Sequence, residues 1–275
     1  MNYPPQQWRL LITPPSPGSW NMAVDEAILE AVEQGMALPS LRLYAWAPPC
    51  LSLGYAQPSM DIDFSRLSTM GWDWVRRPTG GRAILHTDEL TYSLVAPLSD
   101  PRVSGGVLES YQRLSKPLLL ALHSLQIPVE TQPNSPIRKH QDDEAVCFDV
   151  PSNYEIVVRG KKIIGSAQAR RRKALLQHGT LPLWGDLARI TDVLAYPGEQ
   201  TRAAAATRLL AHATTVEQVL GVKISWEDAA HAFISSFQTE LNLDLIPLEL
   251  SAHEIARSEL LVQEKYTHPS WLERS

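Results

Sequence analysis

CFDVPSNYEIVVRGKKIIGSAQARRRKALLQHGT, residues 147–180, is the stretch on which the reading of this chain turns. Residues 154–158 and 163–167 are rich in apolar and β-branched side chains on either side of Gly160, the pattern of two strands joined by a tight turn. Residues 175–183 read as a third strand, interrupted by His178-Gly179, with the basic run 170–173 filling the connection. Three neighbouring strands would then present Lys162, Ser166 and His178 from one sheet. Core packing alone rarely asks for a cysteine, a lysine pair, four consecutive basic residues and a His-Gly-Thr turn so close together.

The composition around this segment is that of a folded chain. With 275 residues, 44% hydrophobic and 20% charged, the protein has enough apolar material for a sizeable core. A net charge of -5 speaks against nucleic-acid binding, which needs a cationic face. The two cysteines, Cys50 and Cys147, fit neither a disulfide framework nor a four-ligand zinc site, and point to free thiols in the cytoplasm. The amino terminus, MNYPPQQWRLL, lacks a basic stretch followed by a long apolar one, and no uninterrupted apolar run of about 18 residues occurs, so neither secretion nor membrane insertion is expected. No HExxH, CxxC or EF-hand pattern occurs, and no metal site is expected.

Upstream, residues 9–12 read as a short edge strand and 20–34 as a helix that Gly35 stops. Residues 41–46 and 51–54 read as strands, with Cys50 a small buried hydrophobe at the start of the second. A helical turn at 63–70 and a buried strand at 72–75 lead into RRPTGGRAILH, residues 76–86. Its paired glycines let a backbone approach a ligand, while three arginines and a threonine supply donors; the plain alternative is a hairpin turn with solvated arginines. Residues 90–96 form a strand, 107–125 an amphipathic helix and 130–144 an exposed, proline-bearing loop. Beyond Gly185 the pattern is helical, at 187–194, 203–212, 216–220 and 226–241, and Ser251 to Glu254 has the spacing of a capping box that opens the last helix.

Three side chains of the decisive stretch carry chemistry. Cys147 is a potential thiolate nucleophile with cations nearby, although a lone cysteine is more often a buried, inert thiol. Lys162 starts a strand and would enter a sheet-lined cleft if Ile163 faces the core, where it could stabilise a carbonyl oxygen; a solvated hairpin lysine is the plain alternative. His178, like His86, is either a general base or a structural hydrogen-bonding group.

With these motifs assembled, the chain resembles the lipoate-protein ligase, octanoyltransferase and biotin ligase superfamily. RRPTGGRAILH looks like its acyl-binding glycine loop, GKKIIGSAQ (160–168) like its lysine motif, and LLQHGTLPL (175–183) like the strand after that motif; NMAVDEAIL (21–29) and LSLGYAQ (51–57) resemble its first helix and early strands. The resemblance covers residues 8–195 of a single catalytic domain, 1–275, with 196–275 as a helical carboxyl-terminal flank. CFDVPSNYEIVV resembles the cysteine-dependent octanoyltransferases, in which the nucleophile occupies the position of Cys147. The ATP-dependent ligases instead carry an Arg-Asn-Asp-like sequence before the lysine motif, where this chain has Ser152-Asn153-Tyr154-Glu155, and many have an extra carboxyl-terminal domain.

The resemblance implies an α+β fold (mixed α/β), with a mixed, mainly antiparallel sheet and flanking helices. It also implies a two-step transfer without cofactor or ATP. An octanoyl group passes from acyl carrier protein to Cys147, and then to a lysine of a lipoyl domain, on the glycine-cleavage H protein or a 2-oxoacid dehydrogenase subunit. Lys162 would hold the acyl carbonyl. Arg77, Gly80, Gly81 and His86, with Gly165, Ser166, His178 and Gly179, would shape the substrate pocket, and the basic run 170–173 would dock the acidic carrier. The rivals are an ATP-dependent ligase that uses Lys162 without Cys147, and a non-catalytic module that binds carrier or lipoyl domains. A cytoplasmic monomer is expected.

Overall fold

Along residues 89–97 the side chains alternate between two surroundings: Leu90, Tyr92, Leu94 and Ala96 enter one apolar core, whereas Val95 enters another. The same alternation recurs on the neighbouring strands, so the fold is a sheet with a core on each face. The computed structural model describes residues 3–132 and 155–274. Among these, one sheet is built from β1 (Gln6–Ile12), β2 (Ser40–Tyr44), β6 (Glu89–Pro97), β7 (Glu130–Gln132), β8 (Glu155–Val158), β9 (Lys161–Arg170), β10 (Ala174–Pro182) and β11 (Leu243–Pro247), in the order β11-β1-β2-β6-β10-β9-β8-β7. The pairs β11–β1 and β1–β2 are parallel and the others antiparallel, the mainly antiparallel mixed sheet that was expected. A second sheet, ordered β4-β3-β5, comprises β3 (Cys50–Leu53), β4 (Asp73–Arg76) and β5 (Ile84–His86).

Helices cover both faces of the main sheet. On one face, α3 (Val107–Ser124) and α6 (Trp226–Leu241) bury Leu114, Leu118, Phe233 and Phe237 against Tyr92 and Leu94. On the other, α1 (Gly18–Glu33) buries Val24, Ile28 and Val32 against Val95 and Leu176. The shorter helices are α2 (Phe64–Thr69), α4 (Glu199–His212), α5 (Val216–Leu220), α7 (Ala252–Leu261) and α8 (Pro269–Leu272). The capping box read at Ser251 is present, its hydroxyl accepting the Glu254 N–H and the Glu254 carboxylate accepting the Ser251 N–H, but the helix it opens, α7, is followed by α8 and is not the last. Among the described residues, no helix is long and apolar enough to cross a membrane.

Four expectations are corrected. Residues 9–12 do not form an edge strand, because β11 lies outside β1. The carboxyl-terminal part is not wholly helical, since it contributes β11 to the sheet. Glu130–Gln132 is strand β7 rather than loop, while residues 133–144 lie outside the described residues. Ile84–His86, read as the end of a glycine loop, forms β5.

The β8–β9 pairing is irregular at one point. Ile156 and Val157 of β8 pair with Ile164 and Lys162 of β9, so Ile163 is an extra residue, and Ile163 and Ile164 enter the same core.

Candidate active site

The face of the main sheet that carries α1 also faces the small sheet, and a cleft opens between them. Its empty volume is about 420 Å³, solvent opening included, within the range of small-ligand pockets. Met22 of α1, Tyr44 and Trp46 supply apolar walls; Arg77, Gly81, Ile84 and His86 come from the small-sheet side, and Gly165, Ala167, His178 and Thr180 from β9 and β10. The decisive sequence stretch and the distant glycine loop therefore meet in space.

Two imidazoles stand in this cleft, each braced by a carboxylate. His178 Nδ1 lies 3.3 Å from Asp25 Oδ2, and Nε2 lies 2.7 Å from Thr79 Oγ1 of the glycine loop. A carboxylate at Nδ1 selects the Nδ1–H tautomer, which leaves Nε2 to accept the threonine proton. Burial pushes the His178 pKa below its ordinary value, although Asp25 pulls it upward. Asp25 is fully buried; burial opposes its ionisation, but Arg42 at 2.7 Å, then His178, hold its carboxyl below the usual range. Tyr44 donates a further bond to Asp25.

His86 repeats the arrangement. Its Nδ1 is 2.6 Å from Glu89 Oε1 and its Nε2 is 2.6 Å from Ser52 Oγ. Ser52 Oγ also accepts from Arg77 Nη1 at 2.6 Å, and Arg77 Nη2 donates to the carbonyl oxygens of Gly80 and Arg82. A buried chain thus runs from Glu89 through His86 and Ser52 to Arg77, and ends on the glycine loop. Trp46 stacks flat on His86, with centroids 3.9 Å apart, and donates to Thr91, which donates to Glu89.

Two close backbone approaches explain the glycines. A Cβ on Gly179 would stand 2.5 Å from the Gly165 carbonyl oxygen and 2.7 Å from the Tyr92 ring. A Cβ on Gly54 would stand 1.8 Å from the Gly81 carbonyl oxygen, and Gly81 has φ +95°.

Of the predicted substrate-pocket residues, Arg77, Gly81, His86, Gly165, Ser166, His178 and Gly179 border this cleft, and Gly80 adjoins it through Arg77. Ser166 is a correction in its side chain: its hydroxyl bonds Tyr92 Oη on the α3–α6 face, so it is not presented beside His178. Arg76 does not join the donors around the cleft either; it is fully buried and bonds backbone carbonyls on the far side. Lys162 is buried on β9, with Ile163 in the core, while Lys161 donates to the Leu210 carbonyl. Cys50 is buried and burial pushes its thiol well above the ordinary range, as an inert hydrophobe requires. Cys147 lies outside the described residues.

The basic run is partly structural. Arg170 donates to the carbonyls of Val103, Gly105 and Gly106, and Arg171 pairs with Glu26 and Glu30, which leaves Arg172 and Lys173 as its exposed cations. Sequence reading missed Asp25, Glu89, Ser52 and Trp46. By its helical spacing Asp25 reads as lying away from the apolar face of its helix, yet it is fully buried, and nothing in the sequence pairs it with His178.

Residues 17–238 match the family model described as the lipoyl protein ligase A/B catalytic domain. Octanoyltransferase LipM of Kyrpidia tusciae is 41% identical over 270 residues, covering 97% of this chain and 98% of the relative. That of Carboxydothermus hydrogenoformans is 39% identical, covering 98% and 99%. Among solved structures, a bipartite lipoate protein ligase from Thermoplasma acidophilum superposes with a TM-score of 0.81 at 23% identity, covering 98% of this chain and 97% of that one. A lipoate-protein ligase A bound with ATP gives 0.79, also at 23% identity, covering 98% and 99%. These structures share the fold.

Proposed function

We propose, from the premise that the chain belongs to the lipoyl protein ligase A/B catalytic domain family, that it is an octanoyltransferase of protein lipoylation. Full-length identity of 41% and 39% to octanoyltransferases carries this reading. The cleft supports it: Met22, Tyr44 and Trp46 give apolar walls for an alkyl tail, and the polar groups of Arg77, His86 and His178 border the same space. Burying the tail of an octanoyl group is worth roughly 5 kcal/mol at about 0.8 kcal/mol per methylene.

In this reading the donor is octanoyl-acyl carrier protein and the nucleophile is Cys147. The Cys147 thiolate attacks the thioester carbonyl, a new C–S bond forms, and the carrier thiolate leaves. A lipoyl-domain lysine then attacks as the neutral amine; the amide C–N bond forms, the Cys147 thiolate leaves, and the amine gives up its proton. Exchange between thioesters is close to neutral and amide formation from a thioester is downhill, so the cysteine replaces an adenylate as the activated form. Lys162 stabilises the tetrahedral oxyanion, a task that its burial favours by excluding water.

The test is intact-mass measurement after incubation with octanoyl-acyl carrier protein and no ATP. Wild type gains one octanoyl group and Cys147→Ser gains none. A wild type without adduct, or a serine variant that keeps it, overturns the cysteine mechanism.

A further inference from the structure

We infer that Ile84 is the partition that sets how long an acyl chain this protein accepts. The inference rests on the octanoyl-transfer reading of the cleft. Ile84 opens β5, is 9% exposed, and lines the cleft beside Trp46 and His86. It also lines a second space, of about 460 Å³ with its solvent opening included, walled by Leu85, Trp184, Leu187, Ile190 and Leu209 and by the acids Asp88, Glu89 and Asp186. Among the described residues, Ile84 alone borders both spaces. Its apolar cluster is the one behind it, with Ile190 and Leu209, rather than the one holding Met22, Tyr44 and Trp46.

The direction of the chain follows from the walls. In the octanoyl-transfer reading the carbonyl lies at the β9 wall of the cleft, beside Gly165 and Ala167, and the alkyl tail runs across to β5. There it meets three side chains. Trp46 and His86 are stacked on each other and tied by hydrogen bonds to Thr91, Ser52 and Glu89, so neither yields without breaking a buried network. Ile84 offers only an aliphatic side chain. Behind it lies the second space, which a longer chain would enter once Ile84 is shortened.

Shortening Ile84 therefore joins the two cavities. Each further methylene that becomes buried favours binding by about fourfold, so a ten-carbon chain gains about 15-fold relative to octanoyl. The experiment offers the full-length protein equimolar hexanoyl-, octanoyl-, decanoyl- and dodecanoyl-acyl carrier protein, and intact mass reads the acyl groups on the enzyme. Ile84→Ala is expected to raise the decanoyl-to-octanoyl ratio about 15-fold, Ile84→Val by a few-fold, and Ile84→Phe to shift the profile towards hexanoyl. Leu187→Trp, added to Ile84→Ala, fills the second cavity from its rim and takes the gain away while octanoyl transfer persists.

A ratio within twofold of wild type in Ile84→Ala, or a gain that Leu187→Trp leaves intact, overturns the inference. Should Ile84→Ala fail to fold, the opposite shifts of the Val and Phe variants decide it. Calorimetric binding of octanoate and decanoate gives the same ratio without any transfer. A protein that transfers nothing yet shows the altered binding ratio fails the functional reading and keeps this one.

Discussion

Burial sets the protonation of His178, and that in turn sets what the glycine loop rests on. The native ring resists protonation below its ordinary value of 6.5 because burial opposes the charge, more than Asp25 favours it. At neutral pH the ring is neutral, Asp25 is ionised beside Arg42, and Thr79 donates to Nε2. The unfolded chain takes up this proton near 6.5 and the native chain only at lower pH, so between the two values the unfolded state binds more protons. Stability therefore falls as pH drops through that window. Denaturant midpoints taken from about pH 7.5 to about pH 5 should decline more steeply for wild type than for His178→Asn. Equal slopes would mean that the ring protonates freely in the native state. At this scale the sequence marked the ligand-facing groups, His178, His86 and Arg77, by their motifs. It could not mark their braces: Asp25 lies 153 positions from His178, and Thr79 lies 99 positions from it. Packing of α1 and of the glycine loop against β10 brings them together.

Among elements, the small sheet depends on the last helix. Arg76, on β4, donates to the carbonyls of Gly54, Tyr55 and Gln57 on one side, and of Trp271, Leu272 and Arg274 on the other. The Trp271 indole returns a bond to the Arg76 carbonyl at 3.0 Å. A buried guanidinium is thus solvated by a loop and by the carboxyl end of α8, where the helix dipole is negative. The same loop supports the glycine loop, since the Tyr55 N–H donates to the Thr79 carbonyl. Trp271→Ala should lower stability by about 1–2 kcal/mol, less than a fully buried tryptophan because the side chain is half-buried. It should also raise the KM for the acyl donor more than it lowers kcat. Thermal melts and steady-state kinetics check the two parts; an unchanged KM would reduce α8 to a cap. Such a role was not legible beforehand, and neither were β5 and β11. Helices announce themselves locally through their 3.6-residue period, and Trp226–Leu241 was read with these bounds. Leu243–Pro247 becomes a strand only because Trp8 and its neighbours in β1 offer a free edge.

The whole molecule is closed by ions rather than by apolar area alone. Residues 252–266, read from sequence as part of a flank, return to the amino-terminal third through buried or half-buried pairs. Arg9 of β1 meets Glu254 of α7 at 2.6 Å, Glu30 of α1 meets Arg257 at 2.6 Å, and Glu26 meets Lys265 at 2.6 Å and Tyr266 at 2.5 Å. Burial opposes the ionisation of Glu254 and Glu30, yet their hydrogen-bonded arginines outweigh it, and both carboxyls lie below the ordinary 4.5. With Asp25 also below its ordinary 3.8, the stabilisation these groups give is complete above those ordinary values and is lost as pH falls through the lower native ones. Because the pairs join the two ends of the chain, acid should not loosen the carboxyl-terminal elements first. Far-UV circular dichroism and the fluorescence of tryptophans from Trp8 to Trp271 should report one coincident acid transition. Glu254→Gln leaves the Arg9 guanidinium buried without its counter-charge, which costs roughly 3–5 kcal/mol and should move that single transition to higher pH. Two separated transitions, with Trp271 reporting earlier than the sheet, would instead make the flank an independent unit, and the ion pairs across it a consequence of docking rather than its cause.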